Sequence, residues 1–124
     1  MDKIIDLAIS IDELEGWRYV QCSGNFIVNS IPLARKKFDE LQSGDNGRVA
    51  LDLTRVTDFD AAAMCMVLNF NRELLRKNGN LVLIGPGQRV REAFARIGFD
   101  SAVRIFDSAD LFVASLIRPR SGER

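Results

Sequence analysis

The chain has 124 residues, of which 47% are hydrophobic, and this length and composition are typical of one packed domain. Its 17 basic and 17 acidic residues cancel, which argues against the basic surface that nucleic-acid binding requires. No stretch is apolar for long enough to span a bilayer, and the acidic N-terminus does not resemble a signal peptide. We therefore expect a cytoplasmic protein that neither binds nucleic acid nor inserts into a membrane.

The chain contains no histidine, which excludes several kinds of catalytic site. Without an imidazole, Ser-His-Asp and Cys-His nucleophiles cannot form. Cys22 and Cys65 lie in apolar stretches and are predicted to be buried hydrophobic residues rather than a disulfide. Two thiols alone cannot make a structural zinc site, so we expect no metal and no cofactor. An enzyme would need Cys65 as its nucleophile, on a helix where we expect that residue to be packed.

The first predicted elements are two strands and a helix. Residues 3–10 and 17–24 are partly alternating apolar runs, separated by the turn formers DELEG, and they predict an antiparallel hairpin. Asn29 or Ser30 can cap the helix that follows, and Pro32 suits its first turn. This helix ends in the turn cluster SGDNG at 43–47, and its predicted buried stripe consists of Ile31, Ala34, Phe38 and Leu41.

Later elements alternate between short apolar runs and amphipathic segments. RVALDL at 48–53 and LVLIG at 81–85 predict buried strands. The helix between them, at about 61–77, has a predicted stripe of Met64, Val67, Leu68, Leu74 and Leu75. After GPG at 85–87, the third helix has the stripe Val90, Ala93, Phe94 and Ile97, and it ends at Gly98. A strand at about 103–106 precedes a last helix, which Asp107 can cap.

This order of elements predicts the α/β class. We expect a mixed β-sheet with an N-terminal antiparallel hairpin, later strands that are parallel, and about four helices. One domain should cover residues 1–117, and residues 118–124 should form a polar C-terminal tail.

Asp60 is the most informative polar residue. It precedes a helix, and its carboxylate can cap the first turn formed by Ala61, Ala62 and Ala63. These alanines offer no nucleophile or acid, but they leave a flat surface that another protein could cover. The other acidic residues nearby, Asp52 in an apolar run and Asp58 in an expected loop, are not placed to share a metal. The GPG loop lacks the phosphate-binding patterns and is interpreted as a tight turn.

VALDLTRVTDFDAAAMCMVL resembles the signature of the STAS domain, which occurs in bacterial anti-sigma factor antagonists and in sulfate-transporter tails. CSGNF and NGNLVLIGPGQRVREAFARIGFDSAVRIF resemble further segments of that family, and the ordered resemblance extends over nearly the whole chain. It implies a cytoplasmic interaction module with no catalytic activity. In the best-known members, the domain binds a switch kinase that also sequesters a sigma factor. Phosphorylation of a Ser or Thr in the motif by that kinase ends the domain's activity.

This chain departs from the family pattern at the switch. Ala62 matches the phosphoacceptor, Ala61 replaces a hydroxyl residue and Ala63 replaces a glycine. A methyl group cannot accept phosphate, so we expect a docking surface without the covalent switch. The nearby hydroxyls of Ser30, Thr54 and Thr57 are better explained as turn or capping groups. The predicted partner-binding residues are Asn25, Phe26, Asp60, Ala61, Ala62, Ala63 and Met64, with Phe26 either an exposed anchor or a core residue.

Two interpretations of function stay open. The chain resembles an anti-sigma factor antagonist that binds an anti-sigma factor of the serine kinase type. Alternatively, it is a STAS adaptor or subunit of a larger assembly, such as a stress-signalling complex or a lipid ABC transporter.

Overall fold

The computed structural model describes residues 6–42 and 47–117. Its strands form one five-stranded sheet in the order β1-β2-β3-β4-β5. The strands are β1 (Leu7–Leu14), β2 (Trp17–Phe26), β3 (Arg48–Phe59), β4 (Asn80–Ile84) and β5 (Arg104–Phe106). The α-helices of the described ranges are α1 (Ile31–Gln42), α2 (Ala61–Arg76), α3 (Gln88–Arg96) and α4 (Ala109–Leu116). β1 and β2 are antiparallel and the later neighbours are parallel, which confirms the predicted mixed sheet.

The turn between β1 and β2 is shorter than the sequence suggested. Glu15 and Gly16 form it, and their φ angles of 50° and 84° are both positive. Two-residue turns of this kind match the twist of the flanking strands. β1 therefore continues to Leu14 and pairs directly with β2 up to Leu14 and Trp17.

β3 is longer than the predicted run at 48–53. It pairs with β2 as far as Phe26 and Phe59, with two register shifts on the way, whereas its pairing with β4 ends at Asp52 and Ile84. Asp58 therefore lies in β3, and its expected position in a loop was wrong because the long β2 gives this segment a pairing partner. The second half of β3 projects beyond β4 and carries the chain to the start of α2.

Hydrophobic side chains cover both faces of the sheet. Successive residues of a strand point to opposite faces, so Leu51 and Leu83 join one cluster while Ala50 and Ile84 join the other. The larger cluster includes buried residues of α1, α2 and α3. The smaller one is completed by Phe112 of α4. Helices α1 to α3 thus pack on one face and α4 on the other.

Two predicted helix stripes need correction. The buried face of α2 consists of Ala63, Met66, Val67, Phe70, Asn71 and Leu74. Leu75 is 54% exposed because it lies one residue, about 100° of rotation, beyond Leu74. Ile97 is 53% exposed because α3 already ends at Arg96.

The predicted cap of the last helix is also wrong by one residue. Ser108 caps α4, since its hydroxyl accepts the Leu111 N–H at 3.2 Å. Asp107 instead forms an ion pair with Arg91 at 2.7 Å. Residues 43–46 of the predicted turn cluster and the predicted tail at 118–124 lie outside the described residues.

Candidate functional site

Asp60 connects two segments that are distant in the sequence. It has an extended backbone and is the N-cap of α2, where its Oδ1 accepts the Ala63 N–H at 3.0 Å. Its Oδ2 accepts the Val28 N–H at 2.9 Å, just beyond the end of β2. One carboxylate therefore satisfies a free N–H of the helix and fixes the adjoining segment against it.

The alanines that follow differ in their exposure. Ala61 is exposed, Ala62 is partly buried and Ala63 is fully buried against the larger core cluster. Met64 is partly buried and packs against the same cluster. Since the Ala63 side chain has no accessible surface, it is not available for the predicted partner contact, and the surface of this turn consists of Ala61, Ala62 and part of Met64.

The next residue, Cys65, is exposed. The expectation that it is buried was wrong, because the face of α2 that packs on the sheet passes through Ala63 and Met66 and leaves Cys65 towards solvent. Cys22, by contrast, is buried as predicted. Solvent access removes one objection to a nucleophilic role for Cys65, but the chain has no histidine that could activate it.

An open groove of about 800 Å³ lies between α1 and α2, next to this helix start. Ala62, Cys65 and Met66 of α2 line one side of it, and Ile31 and Pro32 of α1 line the other. Val28, which is 61% exposed, lies at the groove and is also the residue bound by Asp60. The sequence analysis missed the contribution of α1, although Pro32, an exposed apolar residue outside the predicted buried stripe, was a possible signal.

Phe26 and Asn25, at the end of β2, have different roles. Phe26 is 0% exposed and its ring packs edge-on against those of Phe38 and Phe59. Its predicted contact with a partner is therefore wrong, because β2 continues to this residue and turns the ring into the core. Asn25 is partly buried, and its Oδ1 accepts a hydrogen bond from the Thr57 hydroxyl at 2.9 Å.

The nearby hydroxyl groups also differ in accessibility. Ser30 is 1% exposed, and its Oγ accepts the Ile27 N–H at 3.0 Å and lies 2.8 Å from the Asn25 carbonyl oxygen. This agrees with a capping role and leaves Ser30 inaccessible to a kinase. Thr54 and Thr57 are exposed and lie within β3, so their expected role in a turn or cap was wrong, because pairing with β2 keeps this segment in the sheet.

Asp52 is a buried carboxylate on the α4 side of the sheet, only 3% exposed. It accepts hydrogen bonds from the Tyr19 hydroxyl and from the Thr54 N–H, the latter at 2.8 Å. Desolvation, together with the hydrogen bond to Asp52 and the charge of Asp52, raises the pKa of Tyr19 above its ordinary range.

Within 6–42 and 47–117, no group of three or more His, Cys, Asp or Glu side chains could hold a metal.

The GPG loop has a structural explanation. Gly85 has a φ of +62°, and a Cβ atom there would lie 2.3 Å from Thr54 Oγ1. Its N–H donates to the Phe106 carbonyl at 2.8 Å. Positive φ and close approach both require glycine at this position.

The architecture is that of a small STAS-type α/β domain. The chain belongs to the STAS domain family, whose family model matches residues 8–111. None of the described helices has the length and apolar character needed to cross a membrane. No curated protein matches the chain in a sequence comparison.

Several solved structures share this fold. An anti-sigma factor antagonist from Mycobacterium paratuberculosis aligns with a TM-score of 0.81 at 13% identity, covering 94% of this chain and 98% of that one. The Bacillus cell fate determinant SpoIIAA, in its phosphorylated form, aligns with a TM-score of 0.72 at 15% identity, covering 88% of this chain and 99% of that one. A sulfate transporter family protein from Wolinella succinogenes aligns with a TM-score of 0.67 at 23% identity, covering 84% of this chain and 89% of that one.

Proposed function

We propose that this protein is a non-catalytic, cytoplasmic interaction module that acts as an anti-sigma factor antagonist. Its partner is an anti-sigma factor of the serine kinase type, which docks on the start of α2. The module spans residues 1–117, and residues 118–124 are a polar C-terminal tail. The binding surface consists of Asn25, Asp60, Ala61, Ala62 and Met64, extended by the groove residues Val28 and Cys65.

The single observation that carries this proposal is the double hydrogen bonding of Asp60. By holding the Val28 and Ala63 N–H groups at 2.9 and 3.0 Å, it sets a preformed surface of small side chains beside the groove. A rigid surface loses little conformational entropy on binding. Methyl groups at this turn also let a partner's backbone approach closely.

The groove has the composition of a contact surface. Its sides are apolar, at residues such as Ile31 and Met66, and charged side chains of both signs lie on the same helices, at Arg35, Asp39 and Glu73. Protein interfaces commonly have an apolar centre and a polar rim. The mixed charges favour a protein partner over a polyanion such as nucleic acid.

The proposed interaction lacks a phosphorylation switch at its centre. Ala62 stands where the family has its phosphoacceptor, and residues 59–68 contain no hydroxyl group. Ser30 is buried and hydrogen bonded, so it is a poor substitute. The partner therefore binds or releases this protein without phosphate transfer to the α2 start.

The structural similarity to a sulfate transporter family protein favours one alternative. In this alternative, the same surface docks on a larger assembly, such as a transporter or a stress-signalling complex. The two proposals differ in the partner but not in the site.

Affinity capture followed by a footprint tests the proposal. The partner is first recovered from a cell extract and identified by mass, and recovery of a serine kinase of the anti-sigma type supports the antagonist role. Recovery of transporter subunits supports the alternative. The purified partner is then added while alkylation of Cys65 is timed, because this thiol is exposed at the groove.

We expect bound partner to slow Cys65 alkylation by about tenfold or more, because an occluded thiol reacts only after dissociation or opening. A Cys65→Ser variant provides the control, since the remaining Cys22 is buried and should stay unlabelled. An unchanged alkylation rate in a saturated complex would place the interface elsewhere.

A further inference from the structure

The outer edge of β1 pairs with no other strand of the described chain. β1 lies at the end of the sheet and pairs with β2 over its eight residues without a register shift. Natural edge strands are usually protected by proline, bulges, charges or very short length. The opposite edge strand, β5, has three residues, whereas β1 has no proline and carries charge only at Asp12 and Glu13.

The direction of the main-chain groups follows from the pairing with β2. The Asn25 N–H donates to the Asp6 carbonyl at 2.7 Å, so residue 6 forms a hydrogen-bonded pair with β2. Hydrogen-bonded and non-bonded pairs alternate along an antiparallel ladder. Even-numbered residues of β1 therefore bond to β2, and the odd-numbered ones direct their N–H and C=O groups to the open edge: Leu7, Ile9, Ile11 and Glu13.

We propose that this edge pairs in antiparallel fashion with β1 of a second copy of the chain, around a two-fold axis at Ser10. The two sheets then join into one continuous sheet. In this register all four outward positions form hydrogen-bonded pairs, because Leu7 faces Glu13 of the second copy and Ile9 faces Ile11. Between these pairs, Ala8 faces Asp12 of the second copy, and Ser10 faces Ser10 of the second copy.

Side-chain chemistry selects this register. Ile11 is 36% exposed, and Ile9 already packs at the edge of the core, so their contact extends the apolar face. No two carboxylates are directly opposed. An axis at Ile9 would place Asp6 opposite Asp12, and like charges in that position are destabilising. An axis at Ile11 would pair only three of the four outward positions, those of Ile9, Ile11 and Glu13.

A disulfide cross-link tests both the dimer and its register. Facing residues of a non-hydrogen-bonded pair have Cα atoms about 4.5 Å apart, within the range of a disulfide. In a Cys65→Ser background, we expect Ser10→Cys to form a covalent dimer under mild oxidation. The matched variant Asp12→Cys should stay monomeric, because its cysteine faces Ala8. Absence of the Ser10→Cys cross-link, or equal cross-linking of both variants, overturns the proposal.

Sedimentation equilibrium of the native chain and of Ile11→Pro provides the second test. The Ile11 N–H points away from β2, so proline there removes intermolecular hydrogen bonds and leaves the β1–β2 ladder intact. Because the interface is symmetric, the dimer loses two bonds, and we expect its affinity to fall by about tenfold or more. Ile11→Val retains the N–H and should dimerise normally. A native chain that is monomeric throughout, or a folded Ile11→Pro that dimerises equally well, contradicts the proposal. If Ile11→Pro fails to fold, the cross-linking result decides.

Discussion

Asp60 accepts hydrogen bonds from two N–H groups that belong to different segments of the chain. The Ala63 N–H would otherwise be one of the unpaired donors of the first turn of α2, and the Val28 N–H follows β2. At the scale of single residues, the candidate surface depends on this carboxylate. Ala62 supplies the contact area, and Asp60 fixes its position.

Replacement of Asp60 by alanine should therefore lower stability by about 1–3 kcal/mol, since both a helix cap and a second hydrogen bond to a charged group are lost. Asp60→Asn keeps one oxygen acceptor but presents an amide to the other N–H, so we expect an intermediate loss. Equilibrium unfolding in urea measures both variants. Native stability of Asp60→Ala would show that these two hydrogen bonds do not hold the helix start.

Cys22 makes the stability of the fold sensitive to alkaline pH. Burial, with a smaller contribution from the charge of Asp52, raises the pKa of Cys22 from 9.0 to about 12. Between these values, the unfolded chain loses a proton that the folded chain keeps. The contribution of the protonated Cys22 thiol to folding stability is thus complete below pH 9. It is lost as the pH rises towards 12, at up to about 1.4 kcal/mol per pH unit.

Urea unfolding across this alkaline range tests the prediction. Cys22→Ala removes the titrating thiol, so its stability should decline less steeply with pH than that of the native chain. The raised pKa of Tyr19 leaves a residual decline in both proteins. If stability declines equally steeply with pH in the two proteins, Cys22 is not the source of the alkaline sensitivity.

At the scale of elements, α4 is attached to the sheet mainly through one buried aromatic ring. Phe112 is its buried residue, and the ring lies 5.4 Å from that of Trp17 and 5.3 Å from that of Phe106, both in near edge-on geometry. The other large side chain next to it, Leu111, is 52% exposed. Ala109 and Leu116 of α4 also pack against this small cluster, so docking of the helix depends on the cluster that Phe112 completes.

We expect Phe112→Ala to lower stability by about 3–5 kcal/mol and to expose Trp17, since a large cavity replaces the central ring. Trp17 is the single tryptophan, so a red shift of its fluorescence reports loosening of α4 directly. Leu111→Ala, a truncation at an exposed neighbouring site, should leave both stability and emission nearly unchanged. An unshifted emission spectrum for Phe112→Ala would contradict this account.

At the scale of the whole molecule, local patterns were sufficient for the order of the elements. The runs at 48–53 and 81–85 are apolar on both faces, as a sheet covered on both sides requires, and both proved to be strands. Asp60 could also be identified as a cap, because an N-cap interaction is made within four residues.

Features that depend on distant segments could not be predicted in this way. Phe26 is a core residue because β2 pairs with the extended end of β3. Cys65 is exposed because the buried face of α2 is offset by one residue from the apolar stripe that the sequence predicts. The groove requires α1 and α2 to be neighbours, which the sheet topology decides. The bond from Asp60 to Val28 spans 32 positions and leaves no local signal.

The central claim, that a partner docks on the α2 start, is tested most directly by titration calorimetry of Ala62 variants against the captured partner. In Ala62→Asp, the new charge lies in the first helical turn, where the dipole favours it by about 0.3–1 kcal/mol, so the thermal melt should hardly change. Binding should weaken by about a hundredfold, because the carboxylate must be desolvated in the contact without a counter-charge. Ala62→Ser, which is nearly as small, should bind like the native protein. If Ala62→Asp melts normally and binds with native affinity, the start of α2 is not the interface.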